Sequence, residues 1–142
     1  MSDRQSRLQR MLRLRAIEHR VAKARAANAE AKACNLIQID ERLAGLRAGL
    51  SAGDGETSGL VLQSLSEMAR RLDTARASMI APISEAARRR DECHAGRIKA
   101  QQKEDSMTKL HDRETVNATI LSERRSDANR PRPKTYSFLE ES

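Results

Sequence analysis

Along the first fifty residues the apolar side chains fall at alternating steps of three and four. Leu14, Ile17, Val21 and Ala24 form one run; Leu36, Ile39, Leu43, Leu46 and Leu50 form a second, offset in phase by one residue. Such steps keep a set of residues on one face of an α-helix, and sustained over several heptads they mark a coiled-coil seam. The offset falls in AANAEAKA, residues 26–33, where small side chains and high helix propensity let a supercoil change locally without ending the helix. The spacing resumes after SAGDGETSG, residues 51–59, through Val61, Leu65, Met68, Leu72, Ala75, Met79, Ala86, Cys93, Met107, Leu110 and Leu121. Three glycines and an aspartate make the intervening stretch a turn, followed by Thr57 or Ser58 as N-cap of the next helix.

The pattern predicts an all-α fold: a long antiparallel two-helix coiled-coil hairpin over residues 1–128 with an irregular C-terminal tail. Helix one covers about 4–50, the turn 51–59 and helix two about 60–128; a Pro-containing flexible tail fills 129–142. Folding about the middle of the turn sets Leu46 against Leu65, Leu43 against Met68, Ile39 against Leu72 and Leu36 against Ala75. Below the offset, Ala24 meets Ala86, Ile17 meets Cys93 and Leu14 meets Gly96. This register makes the leucine-rich tip the well-packed part and the middle thin, since Val21 meets Arg89 and Asn28 meets Pro82. It also brings helix one to an end opposite about Met107, leaving Met107, Leu110, Val116, Ile120 and Leu121 on a projecting piece of helix two. Pro82 removes an amide donor from the helix interior, so a kink is expected there.

Composition fits a rod. Only Tyr136 and Phe138 are aromatic, and 33% of the 142 residues are charged, which leaves too few large side chains for an ordinary globular core. No run approaches the length of a membrane span, so a cytoplasmic protein is expected. The Arg-rich opening resembles a mitochondrial presequence, but Asp3 and Glu18 interrupt it and the helical pattern runs on without a cleavage-like break.

The net charge of +7 is concentrated at one end, with eight basic and two acidic residues ahead of Ala26. Arg4, Arg7, Arg10 and Arg13 recur every third residue and present a broad positive surface. A nucleic-acid footprint can look like this. In zipper-type readers, however, the basic region precedes a parallel seam, whereas here the charges are interleaved with seam residues. Phosphate-loop, dinucleotide, paired-CxxC and HExxH motifs are missing, so no catalytic residue, cofactor or metal is expected. His19 falls near the level of Cys93 and His94, but adjacent helical residues point about 100° apart and do not converge on one ion. Cys34 and Cys93 are too far apart along the rod for a disulfide.

The opening RLQRMLRLRAIEHRVAKARAANAEAKA, the helical hairpin, the length and the scarcity of aromatics together resemble the FliJ family of flagellar export proteins, relatives of the stalk proteins of type III secretion. The resemblance spans roughly residues 6–127. It implies a non-enzymatic, stalk-like coiled coil that binds a hexameric export ATPase and the cytoplasmic domain of the export gate, with export chaperones as further partners. It also implies a cytoplasmic protein associated peripherally with the inner membrane at the export apparatus. On this view Arg7, Arg10 and Arg13, with Met107, Leu110 and Leu121 on the projecting segment, meet the partner. The alternative is a basic coiled-coil scaffold that contacts nucleic acid.

Overall fold

A computed structural model describes residues 2–50 and 58–133. The turn expected at 51–59 therefore lies mostly outside the described residues, as does the tail from residue 134 with Tyr136 and Phe138. Two helices account for nearly all the rest: α1, Asp3–Ala48, and α2, Gly59–Ala128. They pack against each other along the chain as a two-helix hairpin. At 1.5 Å per residue α1 is about 69 Å long and α2 about 105 Å. The accessible surface is 12027 Å², where a globular protein of this mass exposes roughly 7,400 Å². The hairpin thus buries little, and it buries it along a line.

Both starts are capped. Ser2 accepts a hydrogen bond from the Gln5 amide while the Gln5 side chain accepts from the Ser2 amide, a reciprocal capping box. Ser58 is the N-cap of α2 and accepts from the Val61 amide. Helix α2 runs through Pro82 without a break. The bond that proline cannot donate would have gone to the carbonyl of Ser78, four residues back. Ser78 is exposed, so water can replace that donor.

The seam differs from the expected one. A series of buried or half-buried positions runs along α1 and just past it through Gln5, Leu8, Leu12, Arg15, His19, Ala22, Ala26, Ala29, Ala33, Leu36, Asp40, Leu43, Arg47 and Leu50. These steps alternate between three and four without a slip, so the expected change of phase does not occur. Those of α2 run likewise from Leu65, Ala69, Leu72, Arg76, Met79, Ile83, Ala86, Arg90 and Cys93 to Glu114 and Ala118. Leu14, Ile17 and Val21 are 52%, 55% and 44% exposed, and Ile39 and Leu46 are exposed as well. The apolar run of the first half lies outside the seam.

Ion pairs between the helices set the register. They join Arg4 to Glu114, His19 to Glu104, Glu30 to Arg90 and His94, Asp40 to Arg76, and Arg47 to Asp73. The numbers of each pair sum to between 116 and 124, where the expected pairing gave 110 or 111. Helix α2 is displaced by roughly eight or nine residues, a little over two turns. Matching the two seams places Leu50 beside Ala69, Ala33 beside Ala86, Ala26 beside Cys93 and Gln5 beside Glu114. The physical reason is that seam positions must satisfy both helices at once. Small alanines and opposite charges meet in this register, while the heavier aliphatics of α1 do not.

Two expectations are overturned in consequence. The middle is the most tightly closed region: Ala26, Ala29 and Ala33 are the buried residues of the hairpin, because alanine permits close approach of the two backbones. Asn28 and Val21, thought to thin it, face outward. Nor does α2 project from Met107. Arg4 reaches Glu114, so only about the last dozen residues, near 117–128, extend past α1. At the opposite end α2 begins about ten residues beyond the level of Leu50. The longer helix overhangs the shorter one at both ends.

Candidate interaction surfaces

Each helix can be written as heptads, abcdefg, with Gln5 and Ala69 at position a. Position e then adjoins a on one flank of the hairpin, and g adjoins d on the other; in an antiparallel pair e meets e and g meets g. The two flanks are differently made.

On the first flank lie His19, Glu30, Asp40 and Arg47 of α1 with Asp73, Arg76, Arg90, His94 and Glu104 of α2, all at a or e. Their contacts include Arg47 Nε to Asp73 Oδ1 at 3.1 Å and Arg76 Nε to Asp40 Oδ1 at 3.2 Å. His94 Nε2 lies 3.4 Å from Glu30 Oε2, and His19 Nδ1 meets Glu104 Oε2. These ties answer the question of a metal cluster directly. His19 sits with Glu104 and His94 with Glu30, so the two imidazoles are at different levels rather than side by side, and Cys93 is turned to the other flank. Cys34 and Cys93 are both unbridged. In the observed register about eight residues separate their levels, or roughly 12 Å along the rod, which is half the expected gap and still beyond disulfide reach.

The second flank is grooved. Ile17, Val21 and Ala22 of α1 face Cys93 and Gly96 of α2 across a recess of 560 Å³, edged by Glu18, Arg25 and Glu92. A second recess of 450 Å³ lies between Lys32, Asn35 and Leu36 and the α2 residues Pro82, Glu85, Ala86 and Arg89. A third runs from Arg15 along Lys99, Lys103, Met107 and Leu110. Every one of these residues but Ile17 occupies c, d or g, the side away from the cross-helix pairs just described.

The charges along the grooves are also arranged unequally. Glu18 is held by Arg15 at 2.8 Å, and Arg88 binds both Glu85 and Glu92 at 2.6 Å. The hydrogen bond from Arg88, reinforced by its charge, holds the Glu85 carboxyl below its usual range and raises the Arg88 guanidinium in return. Each groove-lining carboxylate is thus already matched by an arginine of its own helix. Arg25, Lys32, Arg89, Lys99 and Lys103, by contrast, have no ion-pair partner among the described residues.

Gly96 lines the first recess and lies far from either end of α2. A glycine in a helix interior costs about 0.5–1 kcal/mol relative to alanine. A β-carbon built on it would meet nothing within 4 Å, so packing within the chain does not call for glycine here.

The residues marked out in the sequence are scattered rather than gathered. Arg7, Arg10 and Arg13 are exposed on α1, and Arg10 Nε donates to the Ser6 carbonyl at 3.4 Å. Leu121 is 53% exposed on the piece of α2 that extends past α1, with Val116 and Ile120 nearby. Met107 is half-buried in the seam at the level of Leu12, and Leu110 forms part of a groove wall. The projecting segment therefore includes Leu121 but neither Met107 nor Leu110, because the displaced register carries α1 alongside both. The grooved flank was missed in the sequence; the four-residue step from Ile17 to Val21 was its signal, misassigned to the seam. No helix of the described residues is long and apolar enough to cross a membrane. Compared with family models, with curated proteins and with solved structures, the chain matches none.

Proposed function

We propose that the chain is a non-enzymatic, stalk-like component of a flagellar or type III protein export apparatus. In this role it binds a hexameric export ATPase and the cytoplasmic domain of the export gate, and helps couple ATP hydrolysis to protein export. The observation that carries the reading is the shape and charge of one end. A narrow two-helix rod ends where Arg7, Arg10 and Arg13 are exposed on the first turns of α1 and α2 carries the exposed Val116, Ile120 and Leu121 at and past the start of α1. Such an end suits insertion into a ring of subunits, where cations steer the encounter and apolar side chains make the short-range contacts. The rod would stand in the cytoplasm, associated peripherally with the inner membrane through the gate.

A solvated row of arginines also fits the phosphate backbone of nucleic acid, and salt dependence separates the two readings. Contacts to several phosphates make binding fall steeply as salt rises. The test is a pull-down of the full chain against a purified export ATPase and against duplex DNA. Arg7→Ser, Arg10→Ser and Arg13→Ser combined should slow ATPase association, and Leu121→Ala should speed dissociation. Loss of DNA binding in the arginine variant, with no ATPase binding by any form, would replace the export reading.

A further inference from the structure

We propose that the grooved flank of the hairpin is a docking site for an acidic amphipathic α-helix of another protein. The site is distinct from the open end of the rod and does not depend on the export reading. Three features of one surface point to this occupant. The recesses at Ile17, Val21, Cys93 and Gly96 and at Leu36, Pro82 and Ala86 are apolar and follow one another along the rod. Gly96 and Ala86 are ten residues apart on α2, about 15 Å by the helix rise, so a straight helix of four or five turns laid along the flank reaches both. Its apolar residues would occupy the recesses at steps of three and four, completing a three-helix cross-section.

Charge selects what kind of helix this is. Arg25, Lys32, Arg89, Lys99 and Lys103 edge the grooves with no ion-pair partner among the described residues, while the carboxylates beside them are occupied by Arg15 and Arg88. Glutamates or aspartates flanking the apolar stripe of the incoming helix would complete these cations. A second copy of this chain would instead set like charges against each other. Duplex phosphates would satisfy the cations and leave the apolar recesses empty. Gly96, which lines the first recess, fits this reading. The chain itself places nothing near a β-carbon at that position, so the absent side chain leaves room for something that comes from outside.

The probe is a synthetic 21-residue helical peptide with leucine at alternating steps of three and four and glutamate on both sides of that stripe. Its binding to the full chain is followed by fluorescence anisotropy, and the folding of each variant by circular dichroism. Saturable binding is expected, weakened about tenfold or more by Gly96→Leu, which plugs the recess. Gly96→Ala should raise the melting temperature and yet weaken binding, a combination that a purely structural glycine cannot give. Arg25→Gln, Lys32→Gln and Arg89→Gln combined should weaken binding and reduce its salt dependence while leaving the melting curve in place. The proposal falls if the peptide fails to bind, or if Gly96→Leu binds it as well as the parent chain. It falls equally if the peptide is inert while phosphatidylglycerol vesicles bind and are lost in these same variants, which would give the flank to a lipid surface. Concentration-dependent dimerisation abolished by Gly96→Leu, again with an inert peptide, would give it to a second copy.

Discussion

The two flanks of this hairpin are built from the same two helices and the same heptads, yet one is fastened and the other is left open. On the fastened flank polar residues at a and e find partners across the seam: His19 with Glu104, Asp40 with Arg76, Glu30 with Arg90 and His94, Arg47 with Asp73. On the open flank, apart from Arg4 with Glu114 near its end, recesses take the place of the cross-helix layer, and the carboxylates that line them turn to arginines of their own helix. The lesson is that charge pairing in a two-helix rod sets the register more than it sets the stability. Partly exposed ion pairs are each worth about 0–1 kcal/mol, but a helix slid by two turns would lose all of them together.

The largest effect should come from removing the difference between the flanks altogether. Ala29→Leu places a large side chain in the most tightly closed part of the seam, where Ala29 is 6% exposed. Overpacking of this kind costs about 1–3 kcal/mol. A urea titration should show the lowered midpoint, and an unchanged midpoint would mean that the helices are not in close contact there.

A smaller effect is expected from the fastened flank alone. Glu104→Leu removes a partner from His19 and should cost at most about 1 kcal/mol, whereas adding His19→Leu should recover the loss by setting one leucine near another. A double-mutant cycle in the same titration measures this coupling. Simple additivity would show that the two side chains do not meet.

Smaller still is the expected cost of stripping the open side. Ile17→Ser with Val21→Ser should change stability by no more than about 0.5 kcal/mol, as for surface positions. Were these residues in the seam, as the periodicity alone suggested, the loss would be several times larger. The same titration therefore decides between the two registers.

The smallest effect belongs to acid. Glu85 titrates below its usual value because Arg88 holds its ionised form. Its contribution is complete above the ordinary carboxylate range and disappears as pH falls through the lowered value. Thermal melts followed by circular dichroism should show the parent chain slightly more stable than Glu85→Gln at neutral pH, with the gap closing as pH falls below about 4.5. Identical acid profiles would show that the pair adds nothing.

Much of the architecture could be read from the chain. Helix limits fell within about two residues of those observed, Ser58 was one of two N-cap candidates, and the hairpin followed from two long helices joined at the glycines of 51–59. The register could not be read in the same way, because α1 carries two sets of three-four positions, one in the seam and one outside it. Leu14, Ile17 and Val21 are the heavier set; Leu8, Leu12, Ala22, Ala26, Ala29, Ala33 and Leu36 are the set that is used. Ranking by side-chain size favours the first. What favours the second is only visible when both helices are considered: alanine lets the axes approach, and His19 and Asp40 are acceptable at a because Glu104 and Arg76 wait opposite. The positions of the residues proposed to meet a partner were legible in part. The arginines and Leu121 kept their place at the open end, while Met107 and Leu110 moved to the side of the rod with the register.

The alanines of the middle have a mechanical consequence. A pair of parallel beams resists bending in their common plane in proportion to the square of the distance between them. Ala26, Ala29 and Ala33 are buried between the helices, and side chains this small would let the axes come closest there and give the rod its least leverage. Within about two turns of that place, on the other helix, Pro82 takes one hydrogen bond out of the α2 ladder. The two features together would concentrate compliance in a short waist, so that a load applied at one end would swing that arm about the waist instead of bowing the whole length.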